Sequence, residues 1–307
     1  MRRSSVRPGV VAALAFGLLS FSVAAPAVDG VVEINQARAL AGGVTPGDAP
    51  GFPVTISAPG SYRLTGNLAT GAHAVTAIQI EADYVTVDLN GFTIACSFEQ
   101  PLPTPCTDPG TGHGVYGETR AGLTVTNGMV RDMGGRGVWL GQFSEVSRVK
   151  ARNNRETGIQ VGISSRVDSC VAQVNGFNGI QTGAYSTSTN NIATENQATG
   201  IQADVGSVIR GNSVTLNQIH GIAASSSVIS GNSAHHNFVD GISASGGSTV
   251  IGNQAAENGG YGLNLTGESG YAQNVMRDNN ELGDQNDEVN VGAVDLGGNT
   301  CHAMACP

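Results

Sequence analysis

The sequence has one lysine, Lys150, one tryptophan, Trp139, and few aromatic residues of any kind (5%). Basic side chains number 15 against 24 acidic ones, for a net charge of −9. A surface of that sign does not attract phosphate backbones or anionic lipid, which argues against nucleic acid or a charged membrane as partner. Beyond the first 27 residues no stretch is apolar enough to cross a bilayer. Long uninterrupted runs are also missing. From about Gly114 onward, Gly, Ser or Asn breaks the chain every five to seven residues, which excludes helical repeats. Leucine is too sparse, at one or none per unit, for a leucine-rich repeat. With 44 glycines and few large side chains, the composition fits thin layers joined by tight turns, not a thick core.

What is present begins with an address. Arg2, Arg3 and Arg7 precede an apolar run from Val10 to Ala24 and an Ala25-Pro26-Ala27 site. This reads as a signal peptide over residues 1–27, cleaved before Val28, and predicts export to the periplasm or the cell exterior. Five cysteines in an exported chain suggest two disulfides and one thiol. Cys96 with Cys106 would close a proline-containing loop (Pro101, Pro103, Pro105), and Cys301 with Cys306 would close the tail. Cys170 is left as a buried free thiol. Zinc at Cys301, His302 and Cys306 would lack a fourth ligand, so no metal and no cofactor is expected.

The dominant feature is a repeat. A glycine followed by an aliphatic residue recurs at Gly137, Gly158, Gly179, Gly200, Gly221, Gly241 and Gly262, spaced by 21 residues except for one interval of 20. Gly114 extends the series upstream with an interval of 23. In register run a serine column (Ser144 to Ser269) and an asparagine column (Asn154, Asn175, Asn196, Asn217, Asn237, Asn258, Asn279). A second asparagine column covers Asn191, Asn212, Asn232, Asn253 and Asn274. Each unit then holds three short strands, such as Gly200–Ala203, Ser207–Arg210 and Ser213–Leu216, with alternating apolar and polar residues. Stacking the units gives an all-β, right-handed, single-stranded parallel β-helix of three sheets. Ile159, Ile180, Ile201, Ile222 and Ile242 are predicted in its core. The asparagines are expected to turn the corners in the left-handed conformation and to hydrogen-bond up the column.

The motif N-x-A-x-x-N-x-x-x-G-I, from Asn191 to Ile201 and from Asn232 to Ile242, resembles the repeat of the pectate-lyase-like β-helix proteins. That superfamily includes carbohydrate lyases, hydrolases and epimerases. The segments Ile34-Asn35-Gln36, Gly47 to Ile56 and Gly60 to Leu64 resemble a group of exported bacterial β-helix proteins without assigned activity. The resemblance implies the fold over nearly the whole mature chain and a polysaccharide as ligand class; chemistry is not implied, because this fold hosts many functions. The organisation expected is a cap with first strands over 28–74, coils over 75–282 interrupted by the loop 96–109, and a C-terminal cap over 283–307. Glu33 to Ala41 reads as a short amphipathic helix capping the first coil.

Known catalytic patterns are incomplete. Gly112-His113-Gly114 resembles an element of polygalacturonase-like hydrolases, but no Asp-Asp pair or Asn-Thr-Asp triplet precedes it. Lys150 has no acidic cluster in register of the kind a calcium-dependent lyase needs. Residues at one repeat position are spatial neighbours, which gives two candidate columns. Two residues after each glycine lie Trp139, Gln160, Gln181, Gln202, Ala223, Ser243 and Asn264, an outward stripe suited to stacking on sugar rings and bonding hydroxyls. A glutamine ladder that merely stabilises the stack explains the same residues. One residue before each glycine lie Arg136, Thr157, Asn178, Thr199, His220, Asp240 and Tyr261. Here His220 and Asp240 form a candidate acid–base pair, or else an exposed ion pair on a turn. The chain thus reads as a carbohydrate-binding or surface-matrix solenoid, with a carbohydrate-active enzyme of lyase, hydrolase or epimerase type as the alternative.

Overall fold

The computed structural model of the protein describes residues 30–97, 106, 109–280, 288–290, 293–302 and 304–306. The expected signal peptide and the proline-containing stretch of the 96–109 loop lie outside the described residues, as does most of the acidic Asp284–Glu288 segment.

The chain is a parallel β-solenoid. Among the described residues its first sheet has ten strands stacked in chain order from Val54–Ile56 to Leu263–Leu265, one per rung. Ile159, Ile180, Ile201, Ile222 and Ile242 pair in parallel register and are fully buried. Their alternation with outward residues follows from the two-residue period of a strand. The remaining strands form the other two faces, exemplified by Val208–Arg210 and Ser213–Thr215 in one rung.

Those two faces are not separate sheets, as the repeat alone suggests. Thr124–Arg131 and Glu145–Arg152 run unbroken from one face onto the next, so hydrogen bonding joins both into one sheet, of 22 strands among the described residues. A single left-handed residue, Asn127 in one strand and Arg148 in the other, bends the strand at the corner without ending the pairing.

The asparagine columns are buried ladders. Asn196 Nδ2 donates to Asn217 Oδ1 (2.9 Å) and Asn217 Nδ2 to Asn237 Oδ1 (2.9 Å), and so on from Asn154 to Asn279. Each Nδ2 also donates to a backbone carbonyl, as Asn217 does to Ala193 (3.0 Å), and each Oδ1 also accepts the backbone N–H of the preceding rung. The second column continues one step further than expected, from Asn274 to Asn299. One expectation needs correction. The ladder asparagines do not take the left-handed conformation; the residues just before them do, including Asn153, Val174, Glu195, Leu216 and His236. An asparagine pointing inward must keep its amide aligned with the stack, so the turn is made one residue earlier. The repeat glycine is explained by the same ladder: a Cβ on Gly200 would lie 2.6 Å from Asn217 Nδ2 and 2.7 Å from Gly221 O.

Each end of the described coil carries an element of its own. The helix spans Gln36–Ala41, N-capped by the Asn35 side chain, and is shorter than expected. Val32, Glu33 and Ile34 are instead a strand paired with Tyr62, Arg63 and Leu64, because the open edge of the first rung claims them. Gln36 holds the helix on the coil by exchanging two hydrogen bonds with the backbone of Ala69. At the far end Met304–Ala305 turns back antiparallel onto Thr300–Cys301. Disulfides join Cys96 to Cys106 and Cys301 to Cys306, so the tail sulfurs are not free for zinc. Cys170 is a buried thiol at the head of the second ladder, where its N–H donates to Asn191 Oδ1 (2.9 Å).

Candidate functional site

The outward stripe of the first sheet is in register. Trp139 pairs with Gln160, then Gln181, Gln202, Ala223, Ser243 and Asn264. The stripe also extends upstream of Trp139, through Tyr116 to Gln79 and Thr55. Tyr116 follows Gly114 by two residues, so counting one further repeat back would have found it. All seven expected residues are half-buried on this face. Among the described residues no amide–amide hydrogen bond links Gln160, Gln181 and Gln202, unlike the buried asparagines. They therefore do not form a ladder. Gln181 meets only Asn178 at the limit of bonding distance (3.4 Å), and the buried Oε1 of Gln160 has no partner among the described residues.

The aromatic end of the stripe is a cluster. Tyr116 and Trp139 meet edge to face with ring centres 5.2 Å apart. His113 stacks on Tyr116 at 5.2 Å and meets the Trp139 ring at 5.3 Å. The Arg136 guanidinium lies over the Trp139 ring, 3.7 Å from its centre, and pairs with Glu156 at 3.3 Å. Trp139 is thus less open than a lone exposed platform: Arg136 covers part of one face. His113 Nδ1 accepts the backbone N–H of Arg136 (2.9 Å), and burial together with the Arg136 charge lowers its pKa to about 4. It is neutral at pH 7. Burial raises the Tyr116 pKa, helped by the hydrogen bond it donates to Glu118 (3.1 Å). Beside the cluster a cleft of about 320 Å³ is lined by Glu118, Arg120, Trp139, Gln142 and Gln160. Its polar groups are incompletely used, since the Nε of Arg120 and the Oε1 of Gln160 have no partner among the described residues.

His220 and Asp240 do come together, on adjacent rungs, with Nδ1 3.2 Å from Oδ2. The pair is not the exposed one expected. Asp240 is 3% exposed, and its carboxylate also accepts from the Tyr261 N–H (2.9 Å) and from Asn264 Nδ2 (2.9 Å). Burial raises its pKa, but these hydrogen bonds and the one from His220 outweigh that, and the net shift is downward. Acceptance of the next rung's N–H is a habit of this column: His113, Asn178 and Asp240 take those of Arg136, Thr199 and Tyr261. His220 Nδ1 lies within 3.4 Å of the Asp240 N–H as well as 3.2 Å from its carboxylate. The column is thus a ladder of mixed acceptors along one corner. His220 and Trp139 are four rungs apart, roughly 19 Å along the axis, so one short ligand does not touch both. Among the described residues no three of His, Cys, Asp and Glu converge as metal ligands.

Comparison with known proteins agrees with this architecture. Among solved structures the chain is similar to the A-module of mannuronan C-5 epimerase AlgE4 of Azotobacter vinelandii, at 17% identity, TM-score 0.60, with 75% of this chain and 72% of that one covered. The AlgE6 A-module of the same organism gives 14% identity, TM-score 0.58 and coverage of 82% and 83%. Pectate lyase Pel9A gives 14% identity, TM-score 0.54 and coverage of 73% and 70%. At these identities the likeness is one of fold. No curated protein sequence matches significantly. The profile of the family described as right handed beta helix region matches residues 69–226 and 136–282. Those residues carry the glycine, serine and asparagine columns, and the chain belongs to the right-handed β-helix family.

Proposed function

We propose that this chain is an exported carbohydrate-binding solenoid that holds a polysaccharide on its first sheet without turning it over. The observation that carries this reading is the cluster of Tyr116, Trp139 and Arg136 beside a cleft whose Gln160 and Arg120 side chains retain unused polar atoms. Aromatic rings take the apolar faces of sugars, and amide and guanidinium groups take their hydroxyls. Rungs about 4.8 Å apart are near the length of one sugar unit, so a chain running along the solenoid axis meets Tyr116, Trp139, Gln160 and Gln181 in succession. The similar folds are named for mannuronan and pectate, both polysaccharides. Two disulfides fit an oxidising compartment and hence export.

Binding is favoured over turnover because the candidate acid–base pair is already committed. Asp240 is buried with its oxygens occupied, and His220 answers to it. Screening wild type, Trp139→Ala and His220→Ala on a glycan array tests the reading, followed by reducing-sugar and unsaturated-product assays on any ligand found. Loss of affinity in the tryptophan variant alone, with no product from any protein, is expected. Product formed by wild type and lost with His220→Ala would make the chain a carbohydrate-active enzyme instead.

A further inference from the structure

The corner that leaves the first sheet carries a second periodicity, independent of the site above. In successive rungs its left-handed position is held by Tyr84, Gly122, Phe143, Ser164, Tyr185 and Gly206. Backbone hydrogen bonds fix that alignment, each of these N–H groups from Tyr84 to Tyr185 reaching the carbonyl just before the next rung's equivalent: Tyr84 to Ala121, Gly122 to Gln142, Phe143 to Ile163, Ser164 to Ala184 and Tyr185 to Val205. Over these six rungs large and small alternate, and the aromatics recur every second rung, about 9.6 Å apart; further on the column holds only small residues, Ser226 and Gly246.

These three rings are unusual in two ways. They are 74%, 60% and 66% exposed, and they sit at φ of 57°, 55° and 57°, where a bulky side chain is disfavoured and other rungs use glycine or serine. Burial does not repay that strain. The small residues between them make room: a Cβ on Gly206 would lie 2.6 Å from the Tyr185 ring, and one on Gly122 would lie 2.7 Å from the ring of Tyr84. Between Phe143 and Tyr185 a cleft of about 390 Å³ is floored by Ser164, Glu145, Arg166 and Thr187, which present hydroxyl, carboxylate and guanidinium groups.

We propose that this corner is a second glycan-binding face, taking an extended, equatorially linked β-1,4 polysaccharide along the solenoid axis. Such a chain has flat ring faces rich in C–H groups, which stack on aromatic rings. Its two-residue repeat brings the same face to the same side at every second sugar, as the corner brings a ring at every second rung. The polar floor meets the hydroxyls at the edge of the intervening sugar. None of these residues belongs to the first-sheet stripe, so the proposal stands or falls apart from the function proposed above.

Depletion binding to powdered cellulose, chitin and insoluble mannan tests it. Wild type should bind at least one polymer saturably. Phe143→Gly and Tyr185→Gly should each weaken binding several-fold, and the double variant at least tenfold, whereas Tyr185→Phe should bind as wild type. The same losses should appear in a Trp139→Ala background, which separates the corner from the first sheet. Phe238→Ala, which removes a 64% exposed ring on another part of the coil, should change nothing. Glycine suits the left-handed position, so the corner variants should melt no lower than wild type, and lost binding will not reflect unfolding. The proposal is overturned if wild type binds none of the three polymers, or if the double variant binds as wild type. It is equally overturned if Phe238→Ala loses as much as the corner variants, or if their only effect is to abolish self-association seen by sedimentation velocity.

Discussion

The guanidinium of Arg136 rests on the ring of Trp139, 3.7 Å from its centre, and Trp139 itself lines the cleft on the first sheet. Trp139 is the only tryptophan in the chain, so its fluorescence reports this one place. A ligand that stacks on the ring must share it with Arg136 or displace it. We expect an oligosaccharide that binds here to shift the emission, and Arg136→Met to change the emission before any ligand is added. A contact of this kind contributes about 0.5–2 kcal/mol, so affinity in Arg136→Met should fall by less than in Trp139→Ala. A titration that leaves the emission unmoved while binding is seen by calorimetry would place the ligand elsewhere.

Buried and outward amides should respond oppositely to loss of the amide nitrogen. In Asn217→Asp an oxygen replaces the donor that serves Asn237 Oδ1 and Ala193 O, in a fully buried site. Leaving such groups opposed costs roughly 3 kcal/mol or more, which denaturant unfolding would read directly. Gln202→Glu, on the half-buried face of the first sheet, should stay within about 0.5 kcal/mol of wild type. Similar losses in both would mean that the glutamine stripe is structural after all.

Cys170 offers the reverse experiment. Its Sγ lies 3.6 Å from Val146 O, the place where Asn191 Nδ2 donates to Val167 O one rung on. Cys170→Asn would extend the ladder by a rung and should raise stability by about 1 kcal/mol, or roughly 2–4 °C for a chain of this size. In the wild type burial pushes the thiol pKa up to about 12, from 9.0. The thiol should therefore resist alkylation at pH 8 until the chain unfolds. Above pH 9 the unfolded state sheds a proton that the folded state keeps, and stability should fall with rising pH.

For Asp240 the sign is opposite. Its carboxyl is held below its ordinary value in the folded chain, so the unfolded state binds the proton more readily. Its contribution is present above about pH 4 and is lost as pH falls through the lowered folded value. Asp240→Asn should flatten the acid side of the curve of melting temperature against pH. An unchanged acid limb would mean that the bonds from His220, Tyr261 and Asn264 carry no net stabilisation.

How much of this was legible beforehand follows from geometry. A period of 21 residues makes each column a spatial row, so the buried isoleucines, both asparagine ladders and the pairing of His220 with Asp240 could be read from spacing alone. The cluster around His113 was harder. The interval from Gly114 to Gly137 is 23 residues, and that irregularity hid the fact that His113 and Tyr116 belong to the columns of Arg136 and Trp139. Burial of Asp240 was also invisible, because a corner residue can face in or out at the same spacing. The amphipathic pattern extends the helix back to Glu33, whereas pairing with the distant Tyr62, Arg63 and Leu64 draws Val32–Ile34 into a strand that no local pattern shows.

The turn of Met304–Ala305 back onto Thr300–Cys301, tied by Cys301–Cys306, has a consequence for assembly. A rung with a bare edge is a template for another rung, and in a parallel stack the two ends are different and complementary. Contact between the tail end of one molecule and the head end of another does not close on itself, so it would propagate as a filament, not stop at a dimer. The antiparallel turn of Met304–Ala305 offers the wrong polarity for that addition.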